Sequence, residues 1–105
     1  MPISPTQLTL RHLRADGWLA AVVEHWNPHA RVRNDLFGFI DVVGVRRDET
    51  IGVQATTAPN VSSRVHKIAD HPNIGAVREA GWQIEVWGWA KKSGRWTLHR
   101  RIDVS

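Results

Sequence analysis

The chain has 105 residues, enough for one hydrophobic core and too few for two, and it has no cysteine, which removes disulfide frameworks and thiolate metal sites. Its net charge of +4 comes mostly from arginine, which suits planar contact with phosphate and stacking on bases, so nucleic acid is the leading class of partner. No apolar run approaches membrane-spanning length, and Met1-Pro-Ile-Ser4 lacks a basic segment followed by an apolar one; a single domain, 1–105, soluble and cytoplasmic with no membrane association, is the expectation.

Ser4-Pro5-Thr6-Gln7 has the form of a helix start, with Ser4 as cap, Pro5 in the first turn and Gln7 at the capping-box position. Leu10 and Leu13 can face inward while Arg11 and Arg14 stay solvated, and Gly17 is placed to end the helix. Trp18 to Trp26 is an apolar run that turns polar at Glu24 and reads as a first strand broken by Asn27-Pro28. The connector from Asn27 to Asn34 carries Arg31 and Arg33, two cations suited to phosphate.

Two apolar runs follow, Asp35 to Gly44 and Ile51 to Thr56, which read as neighbouring buried strands joined by the short polar Arg46-Arg-Asp-Glu-Thr50. Alternation puts Asp41 on a face with Phe39 and Val43, and Gln54 on a face with Gly52 and Thr56, so the acid and the amide can meet at one point. A carboxylate between Ile40 and Val42 is costly without a partner; a divalent cation, which accepts carboxylate and amide oxygens, is one candidate and an arginine is the other. Asp35 reads as a turn residue in preference to a supporting acid.

Ala58-Pro59-Asn60 forms a turn from which Asn60 can cap a helix over Val61–Ala69, with Val61, Val65, Ile68 and Ala69 on one stripe and Arg64 and Lys67 on another. After Asp70-His-Pro72 a short helix, Asn73 to Ala80, closes at Gly81. Trp82 to Trp89 alternates, Lys91 to Gly94 turns and Trp96 to Val104 returns, a C-terminal β-hairpin. Trp87 and Trp89 suit core or dimer packing better than base stacking, and the spacings His25/His29 and His66/His71 do not fit a helical zinc site.

This order, with an acid in the second strand and a polar residue in the third, resembles the PD-(D/E)XK nuclease superfamily over about Leu8 to Trp89, most closely its small phage-encoded relatives of Holliday-junction resolvases and VRR-NUC nucleases. The resemblance implies an α/β fold with a restriction-endonuclease-like αβββαβ core, a mixed central sheet flanked by helices. Gly38-Phe-Ile-Asp41 matches the family's Gly-x-x-Asp form and makes Asp41 the metal-binding aspartate. The acid-x-lysine motif falls on Gln54-Ala55-Thr56, and Glu24 stands in for an upstream glutamate. Gln54 lacks the family's negative charge and Thr56 its ammonium; Lys67 or Arg64 of the following helix is placed to supply the missing cation.

The implied activity is magnesium- or manganese-dependent hydrolysis of DNA phosphodiesters, structure-selective or nonspecific, by a homodimer acting in a host cytoplasm. Asp41, Gln54 and Glu24 would hold the metal, Lys67 would complete the catalytic set, and Arg31, Arg33, Arg64, Lys67, Arg100 and Arg101 would bind the backbone of linear or branched DNA. Two alternatives accompany it: a nuclease fold that binds nucleic acid without cleaving it, and a small α/β interaction module presenting its tryptophan hairpin.

Overall fold

In the computed structural model, which describes residues 3–105, the chain is an α/β protein built on a five-stranded mixed sheet. Helix α1 (Pro5–Ala15) starts where Ser4 Oγ accepts the Gln7 backbone N–H and stops before Gly17, whose φ of 87° is left-handed. Strands β1 (Leu19–Val22), β4 (Val42–Arg46) and β5 (Glu49–Thr57) form an antiparallel meander, with β2 (His25–Asn27) and β3 (Val32–Asn34) between β1 and β4 as a separate two-stranded hairpin. A 3-10 turn (Ala58–Asn60), α2 (Val61–Ala69) and α3 (Ile74–Glu79) cross over to β6 (Gln83–Lys92), parallel to β5; β7 (Arg95–Asp103) closes the C-terminal hairpin. The sheet order is β1-β4-β5-β6-β7.

Both faces are covered, which is why β5 reads as a continuous apolar run. On one face α1 packs Leu10 and Leu13 against Trp18, Val42, Ile51, Val53, Trp87 and Trp89. On the other, α2 and α3 pack Val61, Ile68, Ile74 and Val77 against Phe39, Ile40, Ile84 and Val86. Gly88 allows the second layer its close approach: a Cβ there would stand 2.3 Å from the Val61 side chain.

Four expectations are corrected. Trp18 to Trp26 is not one strand, because the chain leaves the sheet after Val22 and enters the small hairpin. The expected loop from Asn27 to Asn34 is that hairpin's turn and return strand: Asn27 Oδ1 accepts the N–H groups of His29 and Ala30, and Asn27 pairs with Val32. Asp35 to Ile40 is a turn, not strand, because Phe37 and Gly38 both take positive φ, 56° and 95°, and the Ile40 N–H bonds back to Leu36 O. Asn60 does not cap α2; its side chain donates to Thr57 Oγ1 instead. The hairpin tryptophans are core: Trp87 is wholly buried, and Trp89 donates its Nε1–H to the buried Thr9 hydroxyl at 2.9 Å. Their rings are therefore unavailable to nucleobases or to a partner chain.

Candidate metal centre

Asp41 stands one residue before β4, pinned from both sides: its N–H donates to Val53 O at 2.9 Å and its carbonyl accepts from Val23 N–H at 2.8 Å. The first bond places its side chain beside Gln54, whose Nε2 donates to Asp41 Oδ2 at 3.0 Å; the Ala55 backbone N–H donates to the same oxygen at 2.8 Å. The second bond brings in Glu24, the next residue after Val23. Strand pairing of His25 with Asn34 then sets the two feet of the small hairpin, Glu24 and Asp35, side by side. Glu24, Asp35 and Asp41 each offer a carboxylate oxygen within 4.8 Å of the others.

Such a cluster is electrostatically incomplete. Asp41 is 4 % exposed, and burial first, then the neighbouring Asp35 carboxyl, pushes its pKa up to about 7 against the opposing bonds from Ala55 and Gln54. Gln54 is 3 % exposed, and its Nε2–H group donates to both Asp41 and, at 3.4 Å, Asp35, so the amide's positive edge lies where two carboxylates converge. Its carbonyl oxygen Oε1 is buried with no hydrogen-bond partner among the described residues, although an unpaired buried acceptor costs about 1–3 kcal/mol. Rotating the amide by half a turn would aim Oε1 at the carboxylates, an arrangement favourable only with a cation between them. The donor set is then three carboxylates and one amide oxygen, all hard, with no nitrogen or sulfur ligand, which fits magnesium or manganese.

Lys67 of α2 reaches the edge of the cluster, its Nζ 3.8 Å from Asp35 Oδ2. Arg33 of β3 pairs with Glu24 at 3.1 Å, and Arg31 is exposed at the hairpin's turn. Arg64 lies one helical turn before Lys67, partly buried, with its Nε unpartnered. Thr56 is buried two residues beyond Gln54 and brings no charge. The expected residues Asp41, Gln54, Glu24 and Lys67 are thus gathered into one place.

Arg101 is not among them. It stands across from Trp87 on the α1 face, 4.5 Å over that ring, with its Nε 3.0 Å from Glu85 Oε1, while Arg100 is exposed on the same strand. Asp35 is the residue the sequence reading passed over as a turn former. It is one, since its carbonyl accepts the Gly38 N–H, but its carboxylate also joins the cluster. The available signal was Asn27-Pro28 between Trp26 and Val32: read as a hairpin turn, it sets Glu24 opposite Asp35.

Comparison with protein-family models, with characterised proteins and with solved structures finds no match for this chain, so the site's meaning rests on its geometry.

Proposed function

We propose that the chain is a metal-dependent nuclease, a divergent relative of the PD-(D/E)XK superfamily, that hydrolyses DNA phosphodiester bonds without reading base sequence. The observation that carries this reading is the buried meeting of Asp41, Asp35 and Glu24 with a Gln54 carbonyl that has no partner. A bound magnesium or manganese ion would act as Lewis acid on the phosphate and lower the pKa of an attacking water. Asp41, Glu24 and Asp35 would hold it with their carboxylates, and Gln54 with Oε1. Lys67, already beside Asp35, would hold the water or the non-bridging phosphate oxygen, the place the superfamily gives to the lysine that Thr56 replaces. Arg31 and Arg33 on the hairpin above the cluster would take phosphates on either side of the cleaved one, which positions the strand but reads no sequence.

Binding without cleavage is a second reading with its own support: the Gln54 Nε2–H group already bridges Asp35 and Asp41, as a cation would. The two readings part in a cleavage assay on labelled linear and four-way-junction DNA with manganese or with EDTA. Manganese-dependent products from the parent, lost in Asp41→Ala, support the nuclease. Tight, salt-sensitive binding with no products supports the second reading.

A further inference from the structure

Beside the acidic cluster lies an open pocket of about 280 Å³ lined by Phe37, Asn73, Ala76, Val77, Ala80 and Trp82. Its walls are two aromatic rings, Phe37 and Trp82, with centroids 5.9 Å apart and planes at 59°, so they form a wedge instead of a closed stack. The floor is the apolar flank of α3, and the Asn73 carboxamide stands at the rim, one N–H donating to Phe37 O at 2.9 Å. Below the usual range of about 300–1,000 Å³ for drug-sized ligands, such a volume suits one small flat group.

Phe37 is held there at a cost. Its φ of 56° is left-handed, which a bulky aromatic residue seldom adopts, and its ring is 45 % exposed although the chain has an apolar core to bury it in. The turn that carries it is the one that joins Asp35 to Asp41, closed by Gly38 N–H to Asp35 O and Ile40 N–H to Leu36 O, both at 3.0 Å. Phe37 therefore lies two residues, at most about 7 Å of backbone, from one acid of the cluster. A base is joined to its own phosphate over a comparable distance, so a strand with a phosphate at the carboxylates brings a neighbouring base to the rings.

Resting on the nuclease reading, we infer that this pocket receives an unpaired nucleobase flanking the phosphate at the acidic cluster, and that the substrate class is DNA with an unstacked nucleotide there: single strands, flaps, or junction branch points. Inside a duplex each base has both faces covered by its neighbours, so only an unstacked base offers a free face to Phe37 or Trp82. An apolar peptide side chain could fill the same volume, but nothing would then tie the pocket to the carboxylates through one turn.

The test is equilibrium binding of a fluorescein-labelled oligothymidylate and of a blunt duplex of equal length. Calcium replaces manganese to prevent turnover, and parent, Phe37→Ala and Trp82→Phe are compared. Phe37 is largely exposed, so its truncation leaves the core intact, which circular dichroism verifies. Stacking on an aromatic ring is worth about 1–3 kcal/mol per base, so Phe37→Ala is expected to weaken single-strand binding about tenfold and leave duplex binding unchanged; Trp82→Phe, which keeps an aromatic wall, is expected to cost less. Equal losses for both DNAs, or none for either, would overturn the pocket's role while leaving the metal site standing. A parent that binds neither DNA overturns it too. Manganese paramagnetic resonance on parent and Asp41→Asn then shows whether the acidic site has fallen with it.

Discussion

The two faces of the sheet each carry a carboxylate that is mostly buried, and they treat it differently. On the α1 face Glu85 accepts the Trp87 Nε1–H at 2.8 Å and the Arg101 Nε–H at 3.0 Å, so its charge is answered within the chain. On the α2 face Asp41 has two further carboxylates for company, and the amide that bonds it leaves its own oxygen orphaned. Structural acids are closed by cations and donors of the same chain; a cluster that repels itself and leaves an acceptor unpaired is built for something the chain does not contain.

The comparison breaks most visibly at Asp41. Asp41→Ala is expected to reduce manganese-dependent DNA cleavage by about a thousandfold, corresponding to about 4 kcal/mol of transition-state stabilisation, read from initial rates on labelled DNA. Glu85→Gln on the other face is expected to leave those rates unchanged.

A second difference lies in pH. Asp41 keeps its proton up to about 7 in the fold and only to about 4 in the unfolded chain. Between these values the native state binds the extra proton, so metal-free stability is full below about pH 4 and is lost as pH rises to about 7 and beyond. Melting of the metal-free parent should fall by several degrees between pH 5 and 8, at about 4–8 °C per kcal/mol for a chain of this size. Asp41→Asn should flatten that slope, and added manganese should restore the parent at pH 8. A parent whose melting rises with pH would mean that Asp41 is stabilised as a charge, as Glu85 is.

Gln54→Glu sharpens the comparison by returning a charge to the ligand set. Manganese affinity, measured by calorimetry, should rise about tenfold, because charge count is a main lever on hard-cation sites. The smallest effect belongs to Glu85→Gln, which removes a part-exposed ion pair with Arg101 and should cost about 1 kcal/mol or less of stability in urea unfolding.

Much of the frame was legible because local signals agreed with the tertiary outcome. Ser4-Pro5 and Gly17 bracket α1, the β4–β5 turn at Arg47-Asp48 is short and polar, and β6–β7 reverses at Ser93-Gly94, where both residues take positive φ. Asp41 and Gln54 were foreseen together because alternation along two adjacent strands is a local rule. What escaped depended on departures from that rule. Phe37-Gly38 turns a run that reads as strand, and His25 to Asn34 has too little apolar alternation to announce a hairpin. Those two features bring Asp35 to Glu24 and Asp41, so the third carboxylate was invisible until the pairing was known. The faces of Trp87 and Trp89 were legible, but not that α1 would cover them, since layer packing is a long-range outcome.

The most direct measurement is a crystal structure of the parent grown with manganese, using the metal's anomalous scattering to locate it. The account predicts one peak between Asp41, Asp35 and Glu24, about 2.0–2.2 Å from their oxygens, with the Gln54 amide rotated so that Oε1 faces the ion. A map with no peak there, and Gln54 Nε2 still bridging Asp35 and Asp41, would contradict it.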